Sequence, residues 1–268
     1  MTKFVIANWK MNLGIEESAR LAAETLSRIG PAVRGLVPVF CPTFAALGAV
    51  RRVVSGTLAK LGAQDVFWQT RGAFTGEVSV RDLTELGVEY VIIGHSERRA
   101  YLYETDPMVR RKVELVMRTL ITPVLCVGET RAEQKAGKRD SVLTRQLKAA
   151  LSGIKPKPSE KIIVAYEPVW AIGTGLVSDP TEAEDAHEHI RRVAAGILGP
   201  KWSRLNLSVI YGGSVDSKNV RGFVAKPGID GVLVGGASLK AVEFSRIANS
   251  FAHQTEIRRL AVGGELPA

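Results

Sequence analysis

The 268-residue sequence is poor in cysteine and aromatic residues and has no long apolar segment. Its only two cysteines are Cys41 and Cys126, so a disulfide framework is excluded and a reducing cytoplasm is expected. Each lies in an apolar stretch with no histidine nearby, which favours a buried structural thiol. No segment reaches the roughly 20 apolar residues of a membrane span. The N-terminus enters a strand pattern directly, without the apolar region of a signal peptide. We therefore expect a cytoplasmic protein that does not contact a membrane.

Two glycine motifs are also missing. No G-x-G-x-x-G and no G-x-x-x-x-G-K-[ST] occurs, which argues against a bound dinucleotide or nucleoside triphosphate. We expect no cofactor and no metal. The pair His187 and His189 are two residues apart, do not face each other on a helix, and are predicted to lie on a solvated face.

The chain carries a net charge of +9. Its basic residues are spread in pairs beside apolar residues, as on solvated helix faces, and no run alternates aromatics with Lys or Arg. A nucleic-acid partner is therefore not expected. The charge favours a modest attraction for a small anionic substrate.

Short β-branched segments recur along the chain, and amphipathic stretches follow most of them. The predicted strands are Phe4–Ala7, Val37–Phe40, Leu58–Gly62, Tyr90–Ile93, Pro123–Val127, Ile162–Tyr166, Leu207–Tyr211 and Gly231–Val234. The predicted helices include Ser18–Ile29, Pro107–Leu120, Val142–Leu151 and Thr181–Leu198. Strands that alternate with helices pair in parallel, and continuous apolar strands are buried on both faces.

Eight such units in about 250 residues predict a single α/β domain, a closed (β/α)₈ barrel with a parallel eight-stranded core. The alternative is an open doubly wound sheet, but the glycine fingerprint after its first strand is absent. No linker divides the chain, so residues 1–268 are one domain, with a C-terminal tail expected to fray from about residue 254.

A carboxylate follows the sixth predicted strand. Glu167 is succeeded by Pro168, which stiffens the start of the next loop, and by Gly173 and Gly175, which allow the loop to move. A carboxylate that meets a closing loop suits proton abstraction in a site shielded from water. The alternative is a solvated Glu at a strand–loop junction.

Barrel active sites lie at the carboxyl ends of the strands. Lys10 follows the first strand and His95 the fourth, where a helix start at Ser96 would favour a neutral ring. Glycine pairs follow the seventh and eighth strands, at positions 212–213 and 235–236. Each alone reads as a tight turn, but together at adjacent strand ends they predict a phosphate site.

These residues fall within eight motifs that occur in the order of a known family. They are NWKMN at 8–12, GAQ at 62–64, GAFTGEVS at 72–79, IGHSERR at 93–99, LCVGE at 125–129, AYEPVWAIGTG at 165–175, YGGSV at 211–215 and GVLVGGASL at 231–239. Over nearly its whole length the chain resembles the triosephosphate isomerases.

The resemblance implies a cofactor-free interconversion of dihydroxyacetone phosphate and D-glyceraldehyde 3-phosphate through an enediol(ate). Glu167 would be the base, His95 the neutral electrophile, and Lys10 the cation that binds substrate and stabilises the enediolate. Residues 168–178 would form a lid over the site. The other substrate-binding residues that the resemblance implies are Asn8, Gly173, Ser214, Gly235 and Gly236. Glu97 would support Lys10. Tyr211 and Ser214 would hold the lid closed.

The resemblance also implies a homodimer in which the Gly72–Ser79 loop, with Thr75 at its tip, inserts near the partner's first-strand loop. Three departures from the family pattern lie outside the catalytic set. Leu176 stands in the lid hinge where Lys is usual, Asp65 replaces a frequent Asn, and Leu120-Ile121 replaces a frequent Gly-Leu. Two other functions remain open: an isomerase for a four-carbon keto-sugar phosphate, and a barrel that only binds phosphate or adheres to surfaces.

Overall fold

The computed structural model describes residues 2–29, 35–173 and 176–261, with side chains as far as residue 254. Within these ranges, eight parallel strands close into a barrel in chain order. They are β1 (Lys3–Asn8), β2 (Leu36–Cys41), β3 (Lys60–Ala63), β4 (Tyr90–Ile93), β5 (Thr122–Val127), β6 (Ile162–Tyr166), β7 (Leu207–Tyr211) and β8 (Gly231–Val234). The predicted (β/α)₈ barrel is confirmed, because β1 pairs with both β2 and β8 and no open edge remains.

Helices alternate with the strands on the outside of the barrel. They are α1 (Ile15–Arg28), α2 (Leu47–Val54), α3 (Val80–Glu85), α4 (Ser96–Tyr101), α5 (Asp106–Val116), α6 (Arg131–Lys135), α7 (Arg139–Leu151), α8 (Pro180–Leu198), α9 (Pro200–Asn206), α10 (Val220–Ala225) and α11 (Ala241–Ala261). In the described part of the chain, 3₁₀ helices span Phe44–Ala46, Val169–Ala171 and Gly236–Leu239. The backbone is helical to Ala261, past the point where we expect the tail to begin, and residues 262–268 lie outside the described ranges.

Four of the eight strands have the bounds that the sequence predicts, and the third is displaced. It begins at Lys60 rather than Leu58. A turn at Thr57 holds the preceding residues, because the Thr57 N–H donates to Val54 O and its Oγ1 accepts the Ala59 N–H.

Helix α1 begins at Ile15, earlier than the predicted Ser18. The Glu17 carboxylate accepts the Gly14 N–H at 2.8 Å and caps the helix there.

Side chains of each strand alternate between two apolar layers. In β1, Phe4 and Ile6 pack inside the barrel, whereas Val5 and Ala7 pack against the helices. All six residues of β1 are buried, as predicted for a strand that is covered on both faces. Cys41 and Cys126 belong to the interior layer, are free and fully buried, and burial raises the pKa of both thiols. The prediction of structural thiols is confirmed.

His187 corrects one prediction, since it is fully buried rather than solvated. Its Nδ1 lies 3.3 Å from Gly228 O, and burial, the largest effect, lowers its pKa to about 3. The ring packs edge-on against Tyr166 at 6.1 Å, so the residue serves the packing of α8 on β6. His187 lies on the same face of α8 as the buried residues Ala183 and Ile190, which is the face that packs on the barrel and is usually apolar.

A buried charge network lies beneath the site. Asp65 contacts Lys112 Nζ at 2.7 and 2.9 Å and Arg98 Nη2 at 2.8 Å, and Glu104 lies 3.1 Å from Lys112. Two carboxylates thereby face two cations. Asp65 is the residue at which this chain departs from the frequent Asn, and the extra carboxylate makes the network neutral.

Candidate active site

All eight predicted catalytic and substrate-binding residues line one small cleft at the carboxyl ends of the strands. It has a volume of about 90 Å³. The cleft-lining residues among those predicted are Asn8, Lys10, His95, Glu167, Gly173, Ser214, Gly235 and Gly236. The positions are distant in sequence and converge because parallel strands end at the same rim.

Glu167 follows β6 directly and is almost fully buried, at 2% exposure. Its backbone N–H donates to Val127 O at 2.8 Å, which fixes the carboxylate beside β5. Gly128 is required there, because a Cβ at that position would lie 1.7 Å from Glu167 O. The side chain reaches across the cleft, where Oε2 accepts the Ser96 N–H at 2.9 Å and Oε1 lies 3.0 Å from His95 Nε2.

The two ionisable groups perturb each other. Burial raises the pKa of Glu167, but the His95 ring and the Ser96 N–H outweigh it, and the net shift is downward. Burial lowers the pKa of His95, but the Glu167 carboxylate outweighs it, and the net shift is upward. Each group therefore favours the charged form of the other, and Glu167 is held as a carboxylate.

His95 caps the N-terminus of α4, where its Nδ1 accepts the Glu97 N–H at 3.2 Å. An Nδ1 that accepts a hydrogen bond carries no proton, so the only ring proton in this arrangement is on Nε2, which faces the cleft and Glu167. The backbone contact stabilises the neutral ring and the Glu167 carboxylate stabilises the cation. The distance between Glu167 and the His95 ring therefore determines whether the neutral or the charged form of the ring dominates.

Lys10 is positioned by three polar contacts. Its φ is +52°, an uncommon angle for a residue other than glycine, and its N–H donates to Asn8 Oδ1 at 3.1 Å. The ammonium forms a 2.6 Å ion pair with Glu97. Gln64 Nε2 donates to Lys10 O at 2.8 Å and to Cys41 O at 2.9 Å.

Gln64 is a site residue that the residue-by-residue reasoning missed. It stands directly after β3, at the same rim as the other polar strand-end residues, and that position is the signal that could have revealed it. Its side-chain amide connects the ends of β1, β2 and β3 by these two hydrogen bonds and holds the backbone of Lys10 in its uncommon conformation.

The beginning of the loop that follows Glu167 is held by two side chains. Trp170 Nε1 donates to Glu129 Oε1 at 2.8 Å, and Ser214 Oγ donates to Ala171 O at 2.6 Å. Glu129 was not among the predicted site residues, although it ends the LCVGE motif. Gly173 has a φ of +69°, which favours glycine. Thr174 and Gly175 lie outside the described residues, and Leu176 beyond them is 45% exposed.

Gly213, in the rim after β7, has no room for a side chain. A Cβ on Gly213 would lie 2.2 Å from the hydroxyl of Tyr211, which is fully buried and stacks on Phe223 at 4.3 Å. Burial raises the pKa of Tyr211 to about 12, and the backbone of Ser178 opposes this rise.

A second glycine pair follows β8. A 3₁₀ helix begins at Gly236, and a Cβ on Gly235 would meet the Lys10 side chain at 3.4 Å. The first N–H groups of a helix have no partner within it and suit an anion. Among the described residues, no group of three or more His, Cys, Asp or Glu side chains could hold a metal ion. Nor is any helix in the described ranges long and apolar enough to cross a membrane.

The fold and the site together define a class. A (β/α)₈ barrel whose rim holds a buried carboxylate, an imidazole and an ammonium beside two glycine pairs belongs to the class of barrel enzymes with an active site at the carboxyl ends of the strands. The comparisons with known proteins are specific. Residues 3–251 match the model of the triosephosphate isomerase family, and the chain belongs to that family.

Relatives match over nearly their whole length. The triosephosphate isomerase of Roseiflexus castenholzii is 44% identical over 94% of this chain and 99% of its own. That of Citrifermentans bemidjiense is 46% identical over 92% of this chain and 98% of its own. That of Clostridium tetani is 42% identical over 93% of this chain and 97% of its own.

Proposed function

We propose that the protein interconverts dihydroxyacetone phosphate and D-glyceraldehyde 3-phosphate, with Glu167 as the base. The observation that carries this proposal is the convergence of Glu167, His95 and Lys10 on one cleft, in a chain of the triosephosphate isomerase family. The reaction needs a base beside a carbon acid, a proton donor at the carbonyl oxygen and a cation near the developing charge. The three side chains supply one of each.

In the forward direction, Glu167 takes a proton from C1 of dihydroxyacetone phosphate. The electrons of that C–H bond form the C1–C2 double bond of an enediol(ate), and the carbonyl oxygen on C2 gains negative charge. Glu167 then returns a proton to C2, which gives the aldehyde. Its lowered pKa keeps it ionised at neutral pH.

His95 donates its Nε2 proton toward the developing oxyanion and relays protons between the two oxygens. This role requires the neutral ring that the Glu97 N–H favours. In this structure, Glu167 lies 3.0 Å from Nε2 and favours the charged ring instead. Rotation of Glu167 from Ser96 toward the substrate removes this influence and prepares His95 as a neutral donor.

Lys10 stabilises the oxyanion from the other side of the cleft. Its Glu97 partner holds the ammonium in place, and Asn8 and Gln64 hold its backbone. Because the ammonium is part of a fixed arrangement, no reorganisation is needed when the charge develops.

The substrate phosphate binds to backbone N–H groups of Gly173, Ser214, Gly235 and Gly236. Gly173 belongs to the loop that directly follows Glu167, so the same loop connects the base with one of the phosphate-binding N–H groups. Closure of residues 168–178 excludes water and keeps the enediolate from losing phosphate. Tyr211 and Ser214 hold the closed loop.

The protein also acts as a homodimer through the Gly72–Ser79 loop. Residues 69–77 are consecutively exposed in the single chain, including Phe74 at 41%, although the loop is internally braced. Phe74 packs on Phe67 at 4.7 Å, and Ser79 Oγ donates to Thr70 O at 2.6 Å. An ordered, projecting and partly apolar loop suits insertion into a partner subunit, and Met11, 92% exposed beside Lys10, offers the matching surface.

A coupled assay tests the activity. Dihydroxyacetone phosphate and a four-carbon keto-sugar phosphate are compared at matched concentrations, with 2-phosphoglycolate as inhibitor. We expect a much higher kcat/KM for the triose and competitive inhibition. A preference for the four-carbon substrate would replace the proposal with its nearest alternative, and no isomerisation of either substrate would indicate a barrel that only binds phosphate.

A further inference from the structure

A second, larger cavity opens at the opposite end of the barrel from the active site. Its volume is about 770 Å³. The first residues of several strands line it, among them Phe4, Thr122 and Leu207, together with residues of α8 and α9. Because Leu207 begins β7 and Tyr211 ends it, the length of a strand separates the cavity from the substrate cleft.

The walls of this basal cavity combine apolar and aromatic surface. Phe4 and Tyr90 meet edge-on at 6.1 Å, and Val37 and Leu207 add aliphatic surface. A volume of this size lies within the range of small-molecule sites, which are mostly apolar with a few polar groups. The walls therefore suit a ligand with a flat apolar body.

The charged residues of the cavity leave an excess of positive charge. Lys161, Arg191 and Arg204 face one carboxylate, Asp230. Asp230 is fully engaged, because it pairs with Arg191, lies 3.9 Å from Lys3 Nζ and accepts the Val209 N–H at 2.9 Å. Within the described part of the chain, Lys161 and Arg204 have no carboxylate at ion-pair distance.

A buried hydroxyl in the cavity wall is also without a partner. Ser203 is 5% exposed, and its Oγ makes no hydrogen bond to any described residue. Buried hydroxyl groups normally have a partner, so an unpaired one that lines a cavity is a place where a ligand can accept or donate a hydrogen bond. Ser203 precedes Arg204 on α9, so the hydroxyl and one unpaired cation lie on the same element.

We propose that the basal cavity binds a small organic anion, whose apolar body packs on Phe4, Val37 and Tyr90 and whose carboxylate or phosphate group is held by Arg204, Lys161 and Ser203. Guanidinium and ammonium groups without internal partners supply the charge-assisted hydrogen bonds. The ligand closes the base of the barrel and leaves the substrate cleft at the other end open.

Calorimetric titration with three matched probes tests this proposal. They are 2-naphthoate, 2-naphthyl phosphate and the uncharged 2-naphthalenemethanol, each titrated into the full-length protein with and without saturating 2-phosphoglycolate. We expect at least one anion to bind at least tenfold more tightly than the alcohol, and the tighter of the two identifies the head group. Equal affinity of all three probes, or loss of binding caused by 2-phosphoglycolate, would overturn the proposal.

Three variants locate the site. Arg204→Gln should weaken binding of the preferred anion at least tenfold, and Arg204→Lys, which keeps the charge, should retain most of it. Arg192→Gln is the matched control, because Arg192 is an exposed neighbour on α8 that does not line the cavity. If Arg204→Gln and Arg192→Gln bind the anion equally well, the anion lies elsewhere and the assignment is wrong.

Discussion

His95 Nε2 lies 3.0 Å from Glu167 Oε1, so the proposed electrophile and the proposed base are in direct contact. The same carboxylate accepts the Ser96 N–H through its other oxygen. Glu167 therefore contacts the start of α4, and in the proposed mechanism it leaves this position to reach a substrate carbon. Pro168 follows directly, and its fixed φ limits the freedom of the backbone between the base and the loop.

Replacing the base separates chemistry from binding. Glu167→Gln keeps the size and the Ser96 contact but cannot accept a proton, so we expect kcat to fall by about 10²- to 10⁴-fold. Inorganic phosphate binding, measured by calorimetry, should survive. Glu188→Gln, an exposed position on α8, controls for loss of a negative charge. Full activity of Glu167→Gln would rule out Glu167 as the base.

The His95 ring offers a direct measure of the contact. The Glu167 carboxylate raises its pKa against the effect of burial, so in Glu167→Gln burial acts with less opposition and the pKa should fall. NMR titration of the ring in both ligand-free proteins measures this. Glu97→Gln should lower the pKa less, because Glu97 contributes less than Glu167 does. An unchanged pKa in Glu167→Gln would mean that the two groups are not coupled.

Gln64 is expected to position Lys10 without contacting substrate. Gln64→Ala removes hydrogen bonds to the carbonyls of Lys10 and Cys41. The loss of two part-buried hydrogen bonds costs about 1–3 kcal/mol and frees the Lys10 backbone. We expect kcat/KM to fall roughly tenfold, since a misplaced cation stabilises the oxyanion less well. Gln134→Ala, at an exposed site on α6, should keep wild-type kinetics; equal loss of kcat/KM in both variants would contradict the role of Gln64.

Asp65 makes stability depend on pH. Burial, only partly offset by Lys112, raises its pKa from 3.8 to about 6. The native state therefore holds this proton more tightly than the unfolded chain, and the resulting stabilisation is present below pH 4 and lost as pH rises through 6. The difference between the pKa values of Asp65 in the native and unfolded states corresponds to about 3 kcal/mol of folding free energy.

Asp65→Asn removes this titration. Relative to wild type, the free energy of unfolding of the variant should increase by up to about 3 kcal/mol between pH 4 and pH 7. Urea denaturation at several pH values measures the difference, and Asp82→Asn on α3 controls for loss of a surface carboxylate. The difference in the free energy of unfolding between Asp65→Asn and wild type is expected to change between pH 4 and pH 7. If it stays constant, or changes in the opposite direction, Asp65 is ionised over this whole pH range.

The proposed dimer depends on the exposed loop at 69–77. Thr75→Arg places a long charged side chain at its tip and should yield monomers in a sizing experiment, with reduced isomerase activity. Ser159→Arg, at an exposed position between α7 and β6, should leave both properties unchanged. A fully active wild-type monomer would refute the interface.

Much of the fold was readable from local pattern. β4, β6, β7 and β8 have their predicted bounds because short β-branched runs between turns allow few other structures. The boundary of β3 and the burial of His187 were not readable in this way. The first depends on hydrogen bonds within the Thr57 turn, and the second on which face of α8 meets the barrel.

The sequence by itself determined the alternation of strands and helices, the polar residues at the strand ends and the family to which their motifs point. Tertiary structure alone decided the distances: the His95–Glu167 contact, the hold of Gln64 on Lys10 and the unpaired Ser203 in the basal cavity. The reason is physical, since local propensity and periodicity act within one element. Contacts between residues tens of positions apart are set by barrel closure and side-chain packing.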